Sequence, residues 1–480
     1  MESLKFVIFG GSFDIFLLEF FSGSIKPAWL EEKSFGLKQV FFVFQGFLKN
    51  MFIENQLKNN ILFLGEKNDA SKVCSIGFWF ASGSRYEDKN TSGISHFTEH
   101  MIFKGTKCRS AKDISAAFDR MGGSVNAFTE REDVCLYSTV PVYKKTQNLL
   151  SALEIMADMS YNCTFEKNEF EKEREVIINE IIASLDDSEE ASLDEAWAFA
   201  WPGQQFSKPI AGTVKEVENI KVEDIKSWYK KYFVQGELVV CLSGSFDEQT
   251  VISYLEKLPS RNKALSFPKE LHFSEKNIIW QKGLDLKDSD FNQVQILSMY
   301  PFPADYNEKQ FWAMAVFNAF AGDSMASRLF QSLRENKGLC YSVYSFFSFY
   351  EGIVSWSAFT SANEKNAFEA AELLHKEITE LLFTEGADIS QEEFEDAREH
   401  MAGEEIIGGE DSEYRMKRLY RNFQSGFPQR TTEEVCNLIR SLTKDDLLDI
   451  IKKIKCDENA FVVYGPKVKR KFKKFSLKNI

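Results

Sequence analysis

The sequence predicts an α+β protein of two homologous halves, each a mainly antiparallel sheet packed by α-helices. Three observations carry that expectation. At 480 residues the chain exceeds what one hydrophobic core supports, since such cores stop growing near ~250 residues. The order of β-type and helical periodicities in the first half recurs in the second. The letters recur as well: Glu169-Phe170-Glu171 followed by Arg174-Glu175 and Glu180 matches Glu393-Phe394-Glu395 followed by Arg398-Glu399 and Glu404, at a constant offset of 224. An internal match at the same place in each half's order of elements is the mark of a repeat.

Taken along the chain, residues 73–81 alternate small and large apolar side chains as a strand does, and 94–103 and 111–121 then place apolar residues at helical spacing. Gly122-Gly123 supplies the stop for the second of these helices. Residues 124–140 return to β character, 145–160 and 165–185 are long amphipathic helices, and 238–243 is a short β run before Gly244. With Pro259 and Pro268, residues 258–273 predict a linker. In the second half 292–300 is β, 311–320 and 327–335 are helical, 340–350 and 353–359 are β, and 363–383 is helical.

Domain boundaries follow as 51–262 and 276–480, preceded by an extension over residues 1–50. That extension holds 11 of the chain's 45 Phe. Acids interrupt its apolar run, so it fits neither a secretory signal nor an Arg-rich transit peptide, nor a membrane span of about 20 apolar residues. It predicts a poorly specified segment, with Met1 or Met51 as the initiator.

Composition narrows the function. With 44% hydrophobic and 27% charged residues the chain is not of the disordered class. A net charge of -14 has the wrong sign for gripping phosphate backbones, so nucleic acid is not an expected partner. Eight scattered cysteines without a C-x-x-C pair predict core thiols of a reducing compartment, and hence a cytoplasmic location, with the mitochondrial matrix or periplasm as alternatives.

The chemistry concentrates in His96-Phe97-Thr98-Glu99-His100, which uses two of only five histidines. On a helix, positions i, i+3 and i+4 share a face, so both imidazoles and the Glu99 carboxylate point one way. That is an incomplete metal site with a base beside it, in the reverse order of the H-E-x-x-H pattern. A third protein ligand must come from elsewhere. In the acidic helix, Glu173 and Glu180 are seven residues apart on one face, and Val176, Ile177, Ile178, Ile181 and Ile182 bracket Glu180. Such surroundings predict a buried carboxylate in need of a cation.

The segment from Gly93 through His96, Glu99 and His100 to Lys104-Gly105-Thr106 resembles the signature of the M16 (pitrilysin, insulinase) zinc peptidases. So do 118–129, which include Gly122-Gly123 and Asn126-Ala127, and Glu173 to Ile181. The similarity runs from about Met51 to Gly465 and is strongest to the two-domain bacterial and mitochondrial-processing-peptidase branch. It implies a zinc endopeptidase that cleaves unfolded peptides or presequence-like segments, with one Zn2+ per chain. It further implies His96, His100 and Glu180 as zinc ligands, Glu99 as general base and Glu173 as a supporting carboxylate. Glu180 lies 80 residues after His100, more than in relatives, which implies a short insertion within 141–150 and leaves Glu175 as an alternative ligand.

The second half lacks H-x-x-E-H but contains Arg334 and Tyr341, which resemble the family's substrate-binding Arg/Tyr element. By the same resemblance Asn126 and Ala127 lie on a strand that pairs with the peptide. The implied assembly is a homodimer or a pair with an M16-like partner subunit. The alternative function is a non-catalytic scaffold subunit of a processing peptidase complex.

Overall fold

The computed structural model describes residues 51–88, 90–144, 147–265, 273 and 278–477, together with the backbone of two strands, β1 (Val7–Gly10) and β2 (Asp14–Leu17). These two pair antiparallel and belong to a unit, Met1–Met51, separate from Phe52–Ile480. The rest of the expected extension, and part of the expected linker, lie outside the described residues.

The larger unit contains two sheets. The first has six strands: β3 (Phe52–Gln56), β4 (Leu62–Lys67), β5 (Val73–Phe80), β6 (Ser124–Thr129), β7 (Val134–Pro141) and β8 (Leu238–Gly244), in the order β3-β4-β8-β5-β7-β6. Only the β4–β8 pair is parallel. The second has five: β9 (Gly283–Asp288), β10 (Gln293–Phe302), β11 (Cys340–Tyr350), β12 (Ile353–Asn363) and β13 (Ala460–Gly465), in the order β11-β12-β10-β13-β9. Here only β13–β9 is parallel. Both sheets are therefore mainly antiparallel, and each closes its parallel pair with a strand from the far end of its own half.

The offset of 224 is structural. Helix Lys167–Asp186 is followed at once by Ser188–Ala200, and helix Gln391–Glu410 by Ser412–Ser425. Asp187 and Asp411 each end one helix and cap the next, their carboxylates accepting from the backbone N–H of Glu189 and of Glu413. A short acceptor at this position satisfies N–H groups that the new helix leaves unpaired.

The helix after each of these corners crosses to the other half. On the first sheet, Leu62, Leu64, Trp79, Cys135, Val239 and Cys241 are covered by Met416, Leu419, Tyr420 and Phe423, with Trp79 stacked on Tyr420 at 4.6 Å. On the second, Leu297, Met299, Ile353, Phe359 and Val462 are covered by Ala196, Trp197, Ala200 and Trp201. Each sheet is thus apolar on both faces and needs the other half to bury one of them. The polar flank of Ser412–Ser425 is buried too. Arg418 lies 3.5 Å from Glu66 of β4 and 3.6 Å from Glu405, while Arg415 lies 3.4 Å from Glu66. Burial raises the Glu66 carboxyl, with Arg418 and Arg415 opposing. These pairs keep the carboxylates from standing alone in the interior.

The helix expected at 327–335 is present and is π-helical over Phe330–Asn336. Two expectations need correction. The helix expected from 363 begins at Ala367, because Asn363 still pairs with Gln293 as the last residue of β12. The start of the linker is packed, with Arg261 buried, its N–H donating to the Asn59 carbonyl (2.9 Å) and its guanidinium to the Phe233 carbonyl.

Candidate metal centre

Helix Ile94–Ile102 carries the H-x-x-E-H residues. It begins at Gly93, whose φ of 89° and close approach to the Ala211 carbonyl exclude a side chain. Its free N-terminal N–H groups have a specific acceptor, since both Glu87 carboxylate oxygens accept from the helix start, from Gly93 N–H and Ser95 N–H at 2.9 Å. Burial pushes the Glu87 carboxyl up to about 8, against the pull of those two donors. Between its ordinary 4.5 and about 8 the folded chain therefore holds a proton that the unfolded chain releases, so stability falls as pH rises through that window. Glu87→Gln keeps an acceptor but does not titrate. Its unfolding midpoint should gain on that of the parent chain as pH is raised from 5 to 9, measured by thermal denaturation.

The same helix packs on Lys167–Asp186 through Phe97 and Phe170, whose rings stack at 4.8 Å and 3°. That contact fixes the distances at the centre. His96 Nε2 lies 3.9 Å and His100 Nε2 3.3 Å from Glu180 Oε2, and donor atoms of the three residues all lie within 4.8 Å of one another. Among the described residues this is the one such group of three or more His, Cys, Asp or Glu. His100 Nδ1 is 3.1 Å from Glu173 Oε2. A carboxylate there accepts Nδ1–H and leaves Nε2, the nitrogen facing Glu180, with its lone pair free. His96 Nδ1 is buried without a hydrogen-bond partner, and burial together with His100 pushes this imidazole down to about 4. A neutral His96 is the form that ligates a metal. Two imidazoles and a carboxylate match the N/O donor set of zinc sites with an open position.

Glu99 lies beside this cluster. Its Oε2 accepts from Thr129 Oγ at 2.7 Å, and burial raises its carboxyl against that hydrogen bond, with His100 lowering it and Glu180 raising it. Thr129 ends β6, an edge strand of its sheet, which also holds Asn126 and Ala127. The exposed Asn126 accepts the Ala127 N–H through its own Oδ1 at 2.9 Å.

Two site expectations are revised. Glu180 is not buried: its side chain is 47% exposed, and Val176 and Ile182 beside it are exposed as well. The buried carboxylate is Glu173. The apolar run marks a helix that turns part of its greasy side outward. Glu175 is exposed and is not among the clustered donors. Arg334 and Tyr341 do come together, the guanidinium 4.9 Å from the Tyr341 ring centroid, with Tyr341 exposed. Among the described residues no hydrogen bond, ion pair or ring contact joins that pair to the histidines. Sequence reading passed over Glu87, Thr129 and Lys104 as working residues, although Thr129 and Lys104 lie inside the motifs it used.

The family profile Insulinase (Peptidase family M16) matches residues 62–214, and the profile Peptidase M16 inactive domain matches 219–401. The chain belongs to the M16 peptidase family. It is 28% identical to an uncharacterized zinc protease of Bacillus subtilis, YmxG, over 85% of this chain and 97% of that one. A relative with the same description from Rickettsia felis is also 28% identical, over 88% and 100%. Among solved structures, an M16 inactive-domain protein of Pseudomonas fluorescens superposes with a TM-score of 0.76 at 17% identity, over 87% of this chain and 98% of that one. A protease from Helicobacter pylori gives 0.75 at 20%, over 86% and 99%. At these identities the structures speak to the two-domain M16 fold. Among the described residues no helix is long and apolar enough to cross a membrane.

Proposed function

We propose that the chain is a zinc-dependent endopeptidase acting on extended, unfolded peptides, with zinc held by His96, His100 and Glu180. The observation that carries this reading is the line Glu173–His100–Glu180, in which one carboxylate orients the imidazole toward the other. When bound, zinc supplies Lewis acidity, bringing the pKa of water toward about 7 and polarising a carbonyl. The chain's own residues do the rest. Glu99 accepts the proton of the attacking water, and a carboxyl raised by burial is a better acceptor than a solvated one. Thr129 holds that carboxylate in place. Among the described strands β6 lies at the sheet edge, and Asn126 and Ala127 offer backbone groups there to an extended peptide that displaces Asn126 Oδ1 from the Ala127 N–H. Arg334 and Tyr341 are the substrate-binding pair, supplied by a second copy of the chain.

Zinc content per chain and cleavage of a mixed pool of unstructured peptides test the proposal. A chain that retains neither is the scaffold subunit instead. Glu180→Gln should weaken zinc at least about tenfold, since even outer-shell partners cost 10–100-fold. Glu175→Gln should leave zinc affinity unchanged, and the reverse result would move the third ligand to Glu175.

A further inference from the structure

The geometry points to Lys104 as a positioning residue of the metal centre, acting on His100 through Glu173. This rests on the zinc reading above. Glu173 is only 5% exposed, and its two oxygens are divided between two partners: Oε2 faces His100 Nδ1 at 3.1 Å and Oε1 accepts from Lys104 Nζ at 2.6 Å. A buried carboxylate without a cation is costly to the fold. One held by a single hydrogen bond also remains free to pivot about its last torsion. Lys104 removes both problems. It supplies the opposite charge and pins one oxygen, so that the other is presented to the imidazole. The orientation passes to His100 Nε2, 3.3 Å from Glu180.

The local chain explains why Lys104 reaches that position. It follows His100 by four residues, just beyond the helix end at Ile102, where its N–H donates to the Met101 carbonyl at 3.1 Å. The next residues are stitched to the segment that leads into helix Lys167–Asp186. Gly105, at φ 117°, accepts from Thr164 N–H (3.2 Å), Thr106 bridges to Cys163, and Lys107 N–H donates to Asn162 (3.0 Å). The ammonium is thereby held over the helix that bears Glu173. Among the described residues Glu173 pairs with His100 and Lys104 alone, so the lysine has no substitute there.

The test is a double-mutant cycle read as zinc affinity, by competition with a chromophoric chelator on the full chain. Lys104→Met and Glu173→Gln should each weaken zinc about tenfold, in the range of outer-shell partners. The double variant should bind no more weakly than Glu173→Gln alone, because the lysine acts through that carboxylate. Lys104→Arg should bind as the parent does. The unfolding midpoint of each metal-free chain is measured alongside, with Lys104→Gln as a second variant in case Lys104→Met folds poorly. Unchanged zinc affinity in Lys104→Met and Lys104→Gln, losses that add in the double variant, or an effect confined to the metal-free midpoint would overturn the assignment. Failure of the zinc reading is distinct from these: the parent chain would bind no zinc, or His96→Ala with His100→Ala would retain it.

Discussion

Glu99→Gln is expected to lower peptide cleavage by about 10²–10⁴-fold, the usual contribution of a positioned general base, while zinc per chain stays at the parent value. The two halves of that result come from separate contacts. Glu99 lies between the histidines in sequence but bonds Thr129 of β6, and it is not among the clustered donors His96, His100 and Glu180. An amide keeps an oxygen for the Thr129 hydroxyl, so the helix and its neighbours have no reason to move. What it lacks is the capacity to take a proton. Single-turnover cleavage with zinc quantified on the same sample reads both halves. A variant that loses zinc would make Glu99 a ligand or a structural residue, and one that keeps cleaving would place the base elsewhere.

The parts of this site that were legible in sequence are those built from local periodicity. H-x-x-E-H on one helix face, the Gly122 stop with φ 71° and the β character of residues 124–140 all depend on residues close in the chain. The repeat was legible because the corner helices begin at the same offset in both halves. What was not legible is where a helix goes after its corner. An amphipathic pattern says that Ser412–Ser425 buries a face, not that the face belongs to the first sheet. Its cations Arg415 and Arg418 are buried against Glu66 of the first sheet, and Arg418 also against Glu405 of the preceding helix, partners that no local pattern identifies. Glu180 misled. Neighbouring isoleucines suggested burial, yet the Glu180 side chain is 47% exposed, and it is Glu173, two turns earlier, that the packing encloses. The short strands β3, β4, β9 and β13 escaped notice because five or six residues are too few for a period to stand out from their surroundings.

A mixture of two inactive chains should recover cleavage if the proposed homodimer shares its sites. One chain carries Glu99→Gln and the other Arg334→Ala with Tyr341→Phe. The structure motivates the pairing: the exposed Tyr341 and the half-buried Arg334 form a pair of their own, and no described contact ties them to His96, Glu99 or His100 of the same chain. A half-buried cation beside an exposed phenol on the second half can complete the centre of a second copy, and a two-fold dimer would do so twice. In a hybrid dimer one site then unites an intact Glu99 with an intact Arg/Tyr pair from its neighbour, and the other site carries both lesions. Random exchange makes half the dimers hybrid, so about a quarter of the sites should work. If the pair instead serves its own chain, every site in the mixture keeps one lesion and mixing restores nothing. Peptide cleavage after subunit exchange, with hybrid dimers verified by native mass, separates the two cases. No recovery in a sample rich in hybrids would reject the shared site and leave the Arg/Tyr pair to act within its own chain or on a different partner.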